Sequence, residues 1–127
     1  MTKIDFYDLP DEDPAARDHF ACQLAEQAFR EGQQVYIHTR DAGHCQQLDE
    51  LLWSFRDSSF VPHQQSPVEA SPVLIGHRDE PASHRGLLIN LDDSIPGFFS
   101  RFEQVKEIIY ADDARKTAGR EHYRFYR

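Results

Sequence analysis

Short apolar segments of strand length alternate with longer segments of helical periodicity along most of this chain. In residues 15–31, Ala21, Leu24 and Ala28 recur at three- and four-residue steps, the spacing that buries one side of a helix. The predicted helices are residues 15–31, 41–55, 98–102 and 114–127, and the predicted strands are residues 3–7, 34–38, 72–75, 86–91 and 105–110. Because such alternation is typical of parallel sheets, we predict an α/β fold with an open, largely parallel sheet and helices on both faces.

Residues 58–81 break this alternation. Proline, glutamine and serine separate their few apolar residues, and only 72–75 has the composition of a buried strand. We therefore predict irregular structure for the rest of this segment. No internal repeat and no linker divides the chain, and 127 residues suffice for a hydrophobic core, so residues 1–127 are predicted to form one domain.

The composition excludes several classes of protein. Acids outnumber bases by 22 to 14, and the resulting net charge of −8 opposes binding of nucleic-acid phosphates by the domain as a whole. No apolar run approaches the roughly 18–20 residues that span a bilayer, and the first residues lack the order of a signal peptide. We therefore expect a cytoplasmic protein without membrane contact, in which Cys22 lies in the core and Cys45 is also a reduced thiol.

The charge is unevenly distributed along the chain. Residues 115–127 contain five basic residues and one acid, a charge of +4, so residues 1–114 carry −12. Four of these cations share one helix face, within an arc of about 80°: Lys116, Arg120, Arg124 and Arg127. Tyr123 lies at the rim of this face, and Phe125 and Tyr126 turn the other way. Such a stripe either binds a small or local anion or is a solvated face whose cations favour the helix C-terminus through its dipole.

One candidate catalytic or metal site follows the second predicted strand. His38, Asp41, His44 and Cys45 lie close together there, but their spacing matches no recognised zinc pattern. Polar residues at the start of a helix are also common as caps. We predict no metal site.

A second candidate site follows the strand at 86–91. Asp92 and Asp93 lie where catalytic carboxylates are often found, although an Asp pair before Ser-Ile-Pro-Gly is also an ordinary turn and helix cap. No glycine-rich phosphate loop and no Gly-x-Ser-x-Gly nucleophile motif occurs in the chain. The alternative function is therefore a small α/β hydrolase or transferase that uses Asp92 and Asp93 or the cluster at 38–45.

Large apolar residues follow the second predicted helix. Trp53 and Phe55 end it, and Phe60 and Val61 precede the rigid Pro62 turn. All four would close the core, or they form a protein-binding patch, since large rigid side chains anchor interfaces at a low cost in conformational entropy.

Three segments carry a resemblance to a known family: 48–53 (Leu-Asp-Glu-Leu-Leu-Trp), 59–63 (Ser-Phe-Val-Pro-His) and 120–127 (Arg-Glu-His-Tyr-Arg-Phe-Tyr-Arg). Together with 5–7 and 86–91, they resemble the chi subunit of bacterial DNA polymerase III holoenzyme. The resemblance implies a three-layer, Rossmann-like α/β fold without catalysis and without a cofactor. It also implies an adaptor of the clamp loader in DNA replication, one surface of which holds the psi subunit while another binds the acidic C-terminal tail of single-stranded-DNA-binding protein.

The resemblance also implies roles for individual residues. The tail ends in an apolar aromatic residue with a free carboxylate, and the residues expected to hold it are Lys116, Arg120 and Arg124, with Tyr123 and Ile109 as pocket walls. The surface expected to face the psi subunit, or a helicase-like alternative partner, consists of Trp53, Phe60 and Val61. No direct sequence-specific DNA binding is implied.

Some relatives continue beyond the position of Arg127. Pocket residues that such an extension supplies are therefore expected to be missing here, and Phe125 would replace them or pack inward. A direct nucleic-acid binder that uses only the C-terminal helix is a third possibility, which the charge of −12 on residues 1–114 opposes.

Overall fold

A computed structural model describes residues 2–10, 13–55, 61–65, 71–77, 80–81, 85–109 and 113–126, with the backbone alone for residues 14 and 113–118. The strands are β1 (Lys3–Asp8), β2 (Val35–His38), β3 (His63–Gln65), β4 (Val73–Gly76), β5 (Leu87–Asn90) and β6 (Gln104–Ile109). The helices are α1 (Pro14–Arg30), α2 (Ala42–Ser54), a 3₁₀ turn at Phe99–Arg101 and α3 (Asp113–Tyr126).

The six strands form one open sheet in the order β1-β6-β5-β2-β4-β3, and every neighbouring pair is parallel. In this register Asp8 pairs with Ile109, so β1 and β6 end side by side at one edge. Because the carboxyl ends of parallel strands share one edge of the sheet, the polar residues that follow β2 and β5 lie at that same edge.

Each face of the sheet has its own core. In β5, Leu87 and Ile89 pack against α1 and α2, whereas Leu88 points to the opposite face. On that opposite face Tyr126 of α3 packs against a cluster that includes Tyr36 and Leu88. The result is a helix, sheet and helix arrangement, which confirms the predicted three-layer α/β fold with a parallel sheet.

Local sequence signals account for the helix boundaries. The Asp13 carboxylate caps α1 by accepting a hydrogen bond from the amide of Ala15, and Asp41 caps α2 by accepting one from the amide of His44 at 2.8 Å. Gly32 follows α1 with φ of 81°, a conformation that glycine adopts without strain and that ends the helix.

Strand β3 lies in the segment predicted to be irregular, so that prediction was wrong at His63–Gln65. Among the described strands, β3 pairs with β4 alone and lies at the edge of the sheet. Its residues His-Gln-Gln lack the apolar, β-branched composition by which buried strands are recognised, because an edge strand exposes more of its side chains to water.

Both cysteines lie in the core, as predicted for Cys22. Cys22 is fully buried, and Cys45 is nearly so, with its thiol 3.5 Å from the carbonyl oxygen of Ile75. Burial in this apolar surrounding raises the pKa of both thiols, which keeps them protonated and unreactive.

Candidate functional site

A pocket of about 490 Å³ lies between α3 and the carboxyl ends of β1 and β6. We call it the α3 pocket. It is lined by Phe6, Asp8, Ile109, Gly119, Arg120, Tyr123 and Arg124. Four of the five residues expected to bind an acidic tail therefore surround one hollow, while the side chain of the fifth, Lys116, lies outside the described part of the structure.

The cations of the α3 pocket are available to a ligand. Arg120 and Arg124 are both exposed, and no carboxylate among the described residues lies within ion-pair distance of either guanidinium group. Asp8 is the one acid among the described lining residues, and it adds a negative charge to the pocket lining. Two unpaired guanidinium groups one helical turn apart form a suitable site for a carboxylate.

The wall beside these cations is apolar. The rings of Phe6 and Tyr123 meet edge to face with their centroids 5.3 Å apart, and Tyr123 is 49% exposed. Ile109 is half-buried and also lines the pocket. The α3 pocket thus combines cationic groups with apolar surface, the combination that an anionic ligand with a hydrophobic part requires.

Gly119 allows α3 to approach the sheet. A Cβ at this position would lie 2.7 Å from Cγ1 of Ile109 and closer still to Cδ1, so no larger residue fits without a shift. Seen from the sequence alone, this glycine only weakens the helix prediction. In the folded chain, the side chain of Ile109 packs into the space that a Cβ at position 119 would occupy.

A polar cluster fastens the inner side of α3 to the sheet. His122 and Tyr126, four residues apart on α3, both reach the buried carboxylate of Glu107 in β6. His122 Nδ1 lies 2.9 Å from Glu107 Oε1, and Tyr126 donates to Glu107 Oε2 at 2.7 Å. Sequence reasoning did not find this cluster, although an acid inside the apolar strand Gln104–Ile109 was a signal for it.

The environment of His122 shifts its pKa upward. Burial by itself disfavours the charged ring, but the hydrogen bond and the negative charge of Glu107, together with the carbonyl of Asp93, outweigh burial. Tyr126 shifts in the same direction for a related reason, since burial and the nearby Glu107 carboxylate both raise the pKa of its hydroxyl.

The candidate site at His38, Asp41, His44 and Cys45 does not converge on one point. Asp41 caps α2, and His44 Nε2 lies 3.0 Å from the carboxylate of Asp18 in α1. His38 is buried, and burial lowers its pKa despite the Asp92 carboxylate 3.6 Å away. Within the described residues, no group of three His, Cys, Asp or Glu side chains is placed to hold a metal ion.

Asp92 and Asp93 form a turn after β5. Asp92 accepts hydrogen bonds from the amide of Asp93 at 2.8 Å and from the hydroxyl of Ser94 at 3.0 Å. The cavity beside the two acids, also lined by Glu107 and His122, holds only about 10 Å³. That volume admits about one water molecule and no substrate, so the described structure gives the enzymatic alternative no active-site cavity at these residues.

The aromatic segment divides between surface and core. Trp53 is 54% exposed on α2, and its ring lies 4.4 Å from the ring of His63. Val61 is fully buried in the core beneath α2. Val61 therefore presents no exposed surface to a partner in this structure, and the partner-binding role expected for it stays a prediction. Phe60 lies outside the described residues.

Phe125 is 63% exposed, so of the two alternatives expected for it, inward packing was wrong. Its neighbour Tyr126 occupies the inward position, against Phe6 and Phe99. Because adjacent helical residues differ by about 100°, Phe125 lies beside this contact, with its ring centroid 5.7 Å from that of Phe99 and 6.0 Å from that of Tyr126.

None of the helices in the described part of the chain combines the length and apolarity needed to cross a lipid bilayer.

Comparison with known proteins identifies the family. The family described as "DNA polymerase III chi subunit, HolC" matches residues 1–127. The chain is 45% identical to DNA polymerase III subunit chi of Pseudomonas aeruginosa, over all of this chain and 90% of that protein. It is 35% identical to the protein of the same name from Haemophilus influenzae, over 94% of this chain and 85% of that one, and 32% identical to that of Escherichia coli K12, over 89% and 80%. The chain therefore belongs to the family of chi subunits of DNA polymerase III.

Proposed function

We propose that this chain is a non-catalytic accessory subunit of the clamp loader that links a psi-type subunit to the acidic C-terminal tail of single-stranded-DNA-binding protein. The observation that carries the proposal is the α3 pocket, in which Arg120 and Arg124, with no ion-pair partner among the described residues, lie beside the apolar side chains of Phe6 and Ile109. A tail with a terminal carboxylate and an aromatic last residue matches both halves of this pocket.

The charge of the chain favours a protein tail over nucleic acid as the ligand. The chain as a whole carries −8, and Asp8 adds a negative charge at the pocket itself. A long polyanion would therefore be repelled outside α3, whereas a short tail needs only the local cations.

The second proposed surface lies far from the first. It centres on exposed Trp53 of α2, together with Phe60, and takes the psi-type subunit or a helicase-like alternative. Helix α2 packs at the β4 and β3 edge on one face of the sheet, whereas α3 packs on β6, near the opposite edge, against the other face. This separation allows both partners to bind at once, as an adaptor requires.

Calorimetric titration with a tail peptide tests the tail-binding part. Arg120→Ala and Arg124→Ala are each expected to weaken binding by about 1–3 kcal/mol, the range of a hydrogen bond to a charged group. Arg30→Ala is the matched control, because Arg30 pairs with Glu26 on α1 and does not line the pocket. A peptide with an amidated C-terminus should bind as weakly as the arginine variants. Equal affinity of all four proteins for the free-acid peptide would refute the assignment.

A further inference from the structure

The inner face of α3 carries a histidine whose two ring nitrogens both point at hydrogen-bond acceptors. We infer that His122 is held as an imidazolium and that its two N–H groups set the rotation of α3, so that His122 is a positioning residue for the α3 pocket. This inference rests on the proposed function, because it assigns His122 a role in tail binding.

The atoms that face the two ring nitrogens of His122 show which of these nitrogens carries a proton. Nε2 lies 2.6 Å from the carbonyl oxygen of Asp93, which can only accept, so Nε2 carries a proton. Nδ1 lies 2.9 Å from Oε1 of Glu107. One proton must therefore lie between Nδ1 and Oε1, on either the ring or the carboxyl group.

The other oxygen of Glu107 shows where that proton lies. Asn90 accepts from the amide of Asp92 through Oδ1, which fixes its Nδ2 as the donor to Glu107 Oε2 at 2.8 Å. Tyr126 donates to the same oxygen. Two donors on Oε2 stabilise the ionised carboxylate, and imidazole is the more basic of the two groups, so the proton belongs to the ring.

Charged groups on β6, on α1 and in the turn after β5 surround His122. Glu107 of β6 and Asp93 after β5 favour the imidazolium, and Asp92 lines the same small cavity. Arg17 of α1 lines the same small cavity and opposes it, but its guanidinium donates to the carbonyl of Leu91 at 2.9 Å. Three acids against one cation leave the balance on the side of the charged ring.

His122 lies between the residues of α3 that line the pocket. Gly119, Arg120, Tyr123 and Arg124 line it, while His122 at 8% exposure points into the sheet from the same two turns. When the ring loses a proton, Nε2–H keeps its bond to Asp93 and the Nδ1 lone pair faces the Glu107 carboxylate. Two acceptors repel each other there, and α3 loses one of its fastenings to β6.

The test combines ring titration with peptide affinity. Nitrogen-15 NMR of the full chain should show His122 protonated at both nitrogens at pH 6.5, with a pKa above the ordinary value of a histidine side chain. Affinity for the tail peptide should fall about ten-fold, or about 1.4 kcal/mol, as the pH rises through that transition. His122→Arg, a permanent cation with donors for both acceptors, should bind without this pH dependence, and His122→Gln should bind weakly at every pH. His19→Gln is the matched control.

Two results would overturn the inference. One is a neutral His122 ring at pH 6.5, and the other is a His122→Arg profile that titrates like the wild type. Both are distinct from failure of the proposed function, in which the wild type binds no tail peptide at any pH. In that case NMR still measures the protonation of the His122 ring, and the chemical shifts of Tyr123 and Gly119 show whether the pocket changes with it. Chemical shifts of these two residues that stay constant through the titration of His122 would also refute the positioning role.

Discussion

Gly119 of α3 lies directly against Ile109 of β6, and the Ile109 side chain occupies the space that a Cβ at position 119 would need. Both residues line the α3 pocket. The shape of the pocket wall therefore depends on the absence of a Cβ at position 119.

Replacing Gly119 by alanine should deform the pocket. Alanine gains up to about 1 kcal/mol of helix propensity, but its Cβ forces Ile109 to change rotamer or α3 to move outward. We expect affinity for the tail peptide to fall several-fold, with a small change in thermal stability. Calorimetry and thermal unfolding measure the two effects. Adding Ile109→Val to Gly119→Ala removes Cδ1, the nearest atom, and should restore part of the affinity. If Gly119→Ala alone binds the tail peptide like the wild type, the contact between Gly119 and Ile109 does not shape the pocket.

Replacing Asp8 by asparagine should strengthen tail binding. Asp8 contributes a carboxylate to the lining of a pocket that is proposed to receive another carboxylate. Because Asp8 is exposed, solvent screens the repulsion, and we expect a gain of roughly three-fold at low salt that disappears near 0.5 M salt. Glu31→Gln, at the end of α1, is the control for a loss of negative charge elsewhere. An affinity that falls on Asp8→Asn would mean that Asp8 contributes to binding.

Stability should fall on the alkaline side because of His122. Its pKa is raised in the folded state, so the contribution of the charged ring is complete below the unfolded pKa of about 6.5 and is lost as the pH rises through the folded value. Urea unfolding between pH 6 and pH 9 should show this decline in the wild type. In His122→Gln the decline in the free energy of unfolding should be smaller. If that free energy falls with pH as steeply as in the wild type, the decline belongs to other titrating groups.

Trp53 and Val61 should respond to mutation in opposite ways. Trp53→Ala removes an exposed ring and should change the free energy of unfolding by less than about 1 kcal/mol while abolishing capture of a psi-type partner. Val61→Ala removes buried groups and should cost roughly 2 kcal/mol of stability with the partner retained. Co-purification and urea unfolding distinguish the two.

Phe60→Ala extends the same comparison to a residue that lies outside the described structure. We expect loss of the psi-type partner from a protein that stays folded. A retained partner, together with reduced stability, would assign Phe60 to the core beside Val61.

The sequence was most informative where structure depends on near neighbours. The helical stripe at Ala21, Leu24 and Ala28 predicted α1, and Asp41 was correctly predicted to cap α2. Strand β3 was missed because an edge strand needs no apolar pattern. Periodicity placed Phe125 and Tyr126 on the same side of α3, but it could not show that Tyr126 takes the inward position against Phe6 and Phe99 while Phe125 stays 63% exposed.

The sequence by itself determined the class of fold, because hydrophobic periodicity is a property of adjacent residues, and it placed the cations of α3 on one helical face for the same reason. Only the tertiary structure decided what those cations face. The α3 pocket exists because β1 and β6 end side by side, and the seat of α3 depends on Gly119 against Ile109 and on His122 against Glu107. These contacts join residues from different elements, and their energies depend on burial and distance, which no local pattern in the chain records.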